Sequence, residues 1–365
     1  VRNLVLSTID RLSYAYSHDI SPSFTNIKNF TNFLNFGEET GRTARRYFIT
    51  DSRIETKYIE QIVQSATRVN YAQDIDTIHA LGALVSMAAQ GAKSVKGGNF
   101  QIFQKFIEEA GAELRLKTKV DGIKKVVDKT GKKVSVAADI IANPPAFQTV
   151  HVTFISGKRD PTYFGIDDLS KAPNMVITTA DGSLFPEHRQ PFTTFAEHHL
   201  HNETGESIVK MFSAVEVPDT LLDALFTTRS WTRRHVWQAY PVLTPVWPPV
   251  VLDEEHEGEG DGGVFYVNAF ESFISTMETE TLASKNVVRL LHKQWCEDCE
   301  PFGDGWTAED AAPVPNNATK SLDGIRPVAN YLCSQIGSIN HRVWGVIFAK
   351  KNVCFVWWRG CFVVC

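Results

Sequence analysis

The sequence predicts an α/β protein of about two domains. Its 365 residues exceed one average domain of ~100 to 200 residues. Apolar residues recur at helical spacing in the early part of the chain, and short alternating or apolar runs bounded by Gly, Pro and Asp recur through the middle. Apolar residues make up 43% and charged residues 22%, enough to build a sizeable core.

Residues 53–66 set Tyr58, Ile59, Ile62, Val63 and Ala66 at near-helical spacing with Glu55, Lys57 and Glu60 between them, which predicts an amphipathic helix. Residues 68–74 read as a loop. Residues 77–90 are apolar nearly all round, as a buried helix would be. Gly97, Gly98 and Asn99 then open a helix carrying Phe100, Phe103, Phe106 and Ile107, and Gly111 supplies its stop.

Leu114, Leu116 and Thr118 alternate with charged residues and predict a strand, followed by a turn at 128–131 and a second strand at 134–136. Residues 139–142 are a short apolar run ended by Asn143-Pro144-Pro145, consistent with a buried strand. Between 147 and 252 the pattern is mixed: strands at 150–155, 174–179 and 207–212 and a short helix at 219–226 predict a separate α+β domain. Residues 253–263 form an acidic, glycine-rich loop. A strand at 264–267 and a long helix at 275–295 follow, with Ser275 and Glu278 matching the S-x-x-E capping box. From 296 the composition shifts to an atypical tail, ending in an aromatic run that Lys350, Lys351 and Arg359 interrupt too often for a membrane span.

A net charge of −5 and no run of Lys and Arg longer than two residues argue against nucleic acid as a partner. All six cysteines lie from Cys296 onward, so the main body has neither a disulfide framework nor a thiolate metal site. The start at Val1 is neither a signal h-region nor a span, because Arg2, Asp10 and Arg11 interrupt it. Sequons at Asn29, Asn202 and Asn317 lean toward a secretory route.

Gly258-x-Gly260-x-x-Gly263 matches the dinucleotide fingerprint as a string, but it sits in an acidic run and precedes a strand, so it reads as a solvated loop. Cys296-x-x-Cys299 has redox or zinc spacing without a βαβ context or a second pair. His198, His199 and His201 have no carboxylate partners in the pattern and read as surface histidines. No G-x-S-x-G, H-E-x-x-H or P-loop string is present, so the residues alone leave the activity open and no metal is expected.

Tyr58-Ile59-Glu60-Gln61-Ile62-Val63 followed by Thr67-Arg68-Val69-Asn70-Tyr71-x-Gln73 resembles the start of the prenylcysteine oxidase (prenylcysteine lyase) domain. The likeness continues through Gly97-Gly98-Asn99, Asp139-Ile140-Ile141-Ala142-Asn143-Pro144, Trp237-Gln238-Ala239-Tyr240-Pro241, Tyr266-Val267-Asn268-Ala269-Phe270-Glu271 and Ser275-x-Met277-Glu278. It covers about residues 1–295.

The resemblance implies an FAD-dependent thioether oxidase that cleaves S-farnesyl- or S-geranylgeranyl-cysteine to cysteine, a prenyl aldehyde and hydrogen peroxide, with O2 as acceptor. It implies an α+β substrate domain plus part of a Rossmann-like FAD domain of the glutathione-reductase/amine-oxidase flavoprotein type. The corresponding division is 1–95 (helical part of the lyase domain), 96–145 (part of the FAD-binding domain), 146–252 (substrate domain), 253–295 (FAD-contacting strand and helix) and 296–365 (tail). The family's N-terminal G-x-G-x-x-G unit has no counterpart here, so the N-terminal FAD-binding segment is expected to be missing and the isolated chain inactive.

By the same resemblance Gly97, Gly98, Asn99, Val120, Ala142, Asn143, Glu271, Met277 and Glu278 are expected at the cofactor, Val120 through its backbone. Asn70, Tyr71, Trp237 and Tyr240 are expected to line the substrate pocket, with Trp247 and Phe265 as further aromatic candidates. No catalytic acid or base is assigned, since a flavin carries the redox chemistry and the protein supplies position and dryness. Peripheral membrane association and a lysosomal, vacuolar or secretory location follow as expectations. Two other readings stay open: a flavin oxidoreductase acting on a terpenoid, and a non-catalytic prenyl-binding protein of the Rab escort and dissociation-inhibitor kind.

Overall fold

The computed structural model describes residues 1–15, 23–88, 94–111, 114, 126–127, 133–135, 146–179, 190–252, 264–295, 344–349, 352–357 and 362–364. Most of the expected strand at 114–118, the run at 139–142, the acidic loop at 253–263 and Cys296-x-x-Cys299 lie outside them.

In chain order the helices are α1 (Arg2–Ala15), α2 (Ile27–Phe33) and α3 (Gly37–Gly41). A continuous helix, α4, follows, made of Thr56–Tyr58, a wider i→i+5 turn Ile59–Val63, and Gln64–Tyr71. Then come α5 (Ala80–Ala88), α6 (Phe100–Ala110), α7 (Asp219–Leu225) and α8 (Met277–Trp295). The strands are β1 (Val126–Val127), β2 (Lys133–Ser135), β3 (Phe147–Arg159), β4 (Met175–Ile177), β5 (Thr194–His201), β6 (Glu206–Ser213), β7 (Phe226–Pro241) and β8 (Val264–Tyr266). Near the end β9 (Trp344–Ala349) and β10 (Asn352–Trp357) form a hairpin, and β11 (Phe362–Val364) pairs antiparallel with β8. The fold is thus mixed helix and sheet, as the sequence predicts.

The chain forms two compact units that interleave in sequence. The first holds 1–41, 88–145 and 245–365, and the second 42–87 and 146–244. Residues 42–87, grouped with 1–95 in the linear division, therefore pack with the sheet domain.

The first unit is held by phenylalanines. Phe30 meets Phe24, Phe270 and Phe273 at ring-centroid distances of 5.1, 4.9 and 5.1 Å. Asn286, buried on α8, clamps the Phe24 backbone: its Oδ1 accepts from the Phe24 N–H (2.7 Å) and its Nδ2 donates to the Phe24 carbonyl (2.9 Å). Arg11 lies 4.0 Å over the Phe36 ring and 2.7 Å from Glu39, so its buried charge is answered by both.

The second unit is built on a five-stranded antiparallel sheet of order β4-β5-β6-β3-β7. Its inner face presents Ile155, Phe195, Val209 and Met211 to α7 residues Leu222 and Leu225. The helices of 42–87 are tied to the strand end through Gln73, whose Nε2 donates to Pro241 O (2.9 Å) and whose Oε1 accepts from Leu243 N (2.8 Å).

Three local readings change. The helix expected at 53–66 runs from Thr56 to Tyr71, through much of the expected loop, and ends where Ala72 turns left-handed (φ 53°). The helix expected from 77 starts at Ala80, because the preceding turn is spent on Asp74 and His79 Nδ1 then accepts from Gly82 N (3.0 Å). The capping box of α8 sits one residue later than Ser275 and Glu278: Thr276 Oγ1 accepts from Thr279 N (3.3 Å) and Thr279 Oγ1 accepts from Thr276 N (3.2 Å).

Candidate functional site

Within the sheet of the second unit, directly paired residues share a face and alternate residues change it. The inner face is filled by the core just described. The register assigns to the outer face Val152↔Phe212, Phe154↔Lys210 and Ser156↔Ile208 on β3 and β6. β7 adds Trp237 opposite Val150, His235 opposite Val152 and Arg233 opposite Phe154, and β5 adds Thr194 and Ala196. This face is an apolar floor: Val150, Val152 and Ala196 are buried, and Phe154, Phe212, Ile208 and Trp237 half-buried. Trp237 stacks tilted on His235, centroids 4.1 Å apart.

Besides the exposed His235 and Arg233 on the edge strand, polar groups interrupt the floor at one end and near its middle. At one end Ser156 Oγ (2.9 Å) and Ser230 Oγ both donate to Glu206, which together pull its carboxyl below the ordinary range. On the central strand stands Lys210. Its ammonium lies 4.7 Å from the Phe212 ring centroid, and burial lowers its pKa. His198, in the bulge of β5, is itself lowered by burial and by the Lys210 charge. Thr194 is 3% exposed, and its Oγ1 has no hydrogen-bond partner among the described residues.

Of the expected pocket residues, Trp237 lies on this floor. Tyr240, farther along the same strand, packs edge-on against Tyr71 (5.4 Å, 74°), and burial raises its phenol. Asn70 Nδ2 donates to Ala66 O (3.0 Å) and Ser86 O (3.1 Å), joining α4 to α5. Trp247 and Phe265 belong to the first unit: Trp247 Nε1 donates to Thr40 Oγ1 (3.3 Å), and Phe265 is wholly buried in the core.

The expected cofactor residues that are described lie in the first unit. Gly97 and Gly98 have φ of 92° and 117°, which side-chain-bearing residues rarely adopt, and a Cβ on Gly98 would come 2.9 Å from the Phe100 ring. Asn99 Oδ1 accepts from Val95 N (2.8 Å), closing that turn at the head of α6, while its buried Nδ2 has no partner among the described residues. Val120, Ala142 and Asn143 lie outside the described residues.

At the head of α8, Met277 and Glu278 are half-buried in the first turn, and Asn268 Nδ2 donates to Glu271 Oε2 (3.3 Å). Beside them Glu280, which the sequence reading did not single out, has its pKa held well above the ordinary carboxyl range by burial, with the Glu271 charge adding to it. Glu280 Oε1 and Asn268 Oδ1 are both buried without a hydrogen-bond partner among the described residues. This corner therefore offers acceptors to a donor and repels an anion, and one amide of its first turn, Thr279 N, is already taken by Thr276 Oγ1.

Lys210 and Thr194 were also missed. The signal for Lys210 was a single cation inside the apolar run Ile208-Val209-Lys210-Met211-Phe212. Thr194 lies on a strand that the sequence reading left unassigned. Among the described residues there is no cluster of His, Cys, Asp and Glu able to hold a metal, and no helix long and apolar enough to cross a membrane.

A family model described as prenylcysteine lyase matches residues 1–140 and 133–304. Farnesylcysteine lyase of Arabidopsis thaliana is 29% identical over 316 residues, covering 79% of this chain and 60% of that protein. Prenylcysteine oxidase 1-like of Homo sapiens is 22% identical over 309 residues, covering 72% and 61%. The Bos taurus protein of the same name is 23% identical over 287 residues, covering 68% and 57%. The chain thus spans about 60% of the length of the curated relatives it matches.

Proposed function

The chain belongs to the prenylcysteine lyase family, and on that premise we propose that it is part of an FAD-dependent oxidase of S-prenylcysteine. The observation that carries this reading is the outer sheet face of the second unit, an apolar floor with Trp237 at one end and a single ammonium near its middle. Such a floor suits a long hydrocarbon attached to a small polar head. Burying a farnesyl chain at ~0.8 kcal/mol per CH2 yields on the order of 10 kcal/mol before ordering costs, so apolar contact suffices to hold the substrate.

The corner at the head of α8 fits the neutral, donor-rich part of a flavin. Glu280 Oε1 and Asn268 Oδ1 are acceptors in search of donors, which ribityl hydroxyls or an imide N–H would supply. The carboxylates of Glu271 and Glu278 make the same corner unsuited to the pyrophosphate. Gly97, Gly98 and Asn99 are part of the proposal at the head of α6, where Asn99 Nδ2 is the donor left over. When bound, the flavin supplies a two-electron acceptor for hydride from the allylic carbon beside sulfur.

The residues of this chain orient the thioether and keep the floor dry. The overall change is thioether plus O2 plus water to aldehyde, thiol and hydrogen peroxide. The exposed sequon Asn202, in the turn between β5 and β6, supports a secretory route to a vacuole or lysosome, as does a lipophilic substrate released from membranes. At Asn29 the sequon's Thr31 is buried and donates to Ile27 O, so that site is the weaker acceptor.

The test is to purify the full-length gene product and record its absorbance before and after adding S-farnesylcysteine. Flavin bands that bleach without oxygen, with farnesal and peroxide formed in air, are the expected result. A flavin-free protein that binds farnesylcysteine without turning it over would replace the oxidase with a prenyl-binding protein.

A further inference from the structure

Lys210 stands on β6, the central strand of the sheet, flanked by Ala196 on β5 and Phe154 on β3. Its neighbours along the same face are Ile208 and Phe212, and none of these four carries a charge. Glu206, farther along the strand, is already engaged by Ser156 and Ser230. Among the described residues no carboxylate pairs with Lys210, whose half-buried side chain has the ring of Phe212, 4.7 Å from its ammonium, as its favourable electrostatic partner. Diagonal to it across the β5–β6 ladder is Thr194, buried on the same face with an unengaged hydroxyl. An ammonium and a hydroxyl, both donors, lie diagonal to each other on a face where the directly flanking residues are apolar and the other cations, Arg233 and His235, lie two strands away.

The geometry points to Lys210 and Thr194 as the pair that receives the substrate's α-carboxylate and so makes the site specific for a free S-prenyl amino acid over its ester. This rests on the proposed oxidase reading and adds the recognition of the polar head. The hydrocarbon alone would bind any prenylated molecule; a carboxylate meeting an ammonium that no described carboxylate answers separates the free acid from its carboxymethyl ester, which lacks the anion at that point. Lys210 and Thr194 are specificity-determining residues and take no part in hydride transfer.

The test is anaerobic equilibrium dialysis of the full-length gene product, its flavin first reduced with dithionite so that neither ligand is turned over, with radiolabelled S-farnesylcysteine and with its methyl ester. Wild type is expected to bind the acid at least about tenfold more tightly than the ester. Lys210→Met and Lys210→Gln should weaken the acid to the level of the ester and leave the ester unchanged. Lys210→Arg should keep most of the preference, and Thr194→Val should lose part of it. Unchanged ester binding shows that each variant is folded. An acid-to-ester ratio that survives in both Lys210 variants, or equal binding of the two ligands by wild type, overturns the carboxylate assignment and leaves the oxidase reading standing. Binding of neither ligand by wild type overturns both.

Discussion

The two faces of the sheet in the second unit treat charge in opposite ways. On the inner side Arg159 and Glu197, nearly buried, lie 2.9 Å apart; Arg159 also donates to Pro173 O (2.8 Å), and Ser207 donates to Glu197. On the outer side Lys210 and Thr194 have no such company among the described residues. Charge that serves the fold is answered from within the fold, whereas charge left over on one face suits a molecule that arrives later.

Four experiments break or sharpen that contrast. The largest expected effect is at the inner pair: Glu197→Ala strands a buried guanidinium and should cost about 3–5 kcal/mol in urea unfolding. If it costs no more than an exposed substitution, the inner charges are not the structural ones. Packing should follow the same divide. Phe195→Ala, wholly buried on the inner face, is expected to cost about 3–5 kcal/mol, and Phe154→Ala, half-buried on the outer face, roughly half of that or less.

The third experiment carries the contrast to the first unit, where Glu280 is another unanswered group. Its folded-state pKa is raised by burial and by Glu271, so the stability associated with its protonated form is fully present below the ordinary carboxyl pKa and is lost as pH rises through the raised value. Glu280→Gln should remove that loss: its melting temperature should match wild type in acid and exceed it increasingly as pH rises. A constant difference at all pH values would mean the two states bind the proton alike. The smallest effect is expected at Lys210→Met, which should leave stability within about 1 kcal/mol because no ion pair among the described residues is broken. A loss as large as that of Glu197→Ala would make Lys210 structural and erase the difference between the faces.

Much of the frame was legible in the sequence. The helix on Phe100 to Ile107 with its Gly111 stop, the strands at 150–155 and 207–212, and the helix at 219–226 all follow from apolar spacing and stand where expected. β5 and β7 were not legible. β7 is an edge strand whose Thr, Arg and Trp residues alternate without a clean apolar face, because only one of its flanks pairs with another strand. β5 ends in three histidines that carry no strand signature of their own.

The candidate site shows the same limit. Trp237 was readable as an aromatic, but its place on the floor depends on the register opposite Val150, which no local pattern contains. Lys210 was hidden by its strand: alternation assigns it a face without saying that no described carboxylate on that face pairs with it. Glu280 became distinct from its acidic neighbours only once the turn 267–272 brought Glu271 close.

The interleaving of the two units also sets the order in which the protein can be made. Gln73, which ties 42–87 to the sheet unit, finds its partner Leu243 only 170 residues later. At ~5–20 residues per second of synthesis, α4 and α5 leave the ribosome roughly 10–30 s before the strand that completes their bonding exists. Through that interval α5 lacks Leu243, whose side chain packs beside Gly82. The nascent chain is therefore expected to depend on a chaperone at this stage, and ribosome-bound chains stopped before Leu243 should be far more sensitive to protease than chains stopped well beyond it.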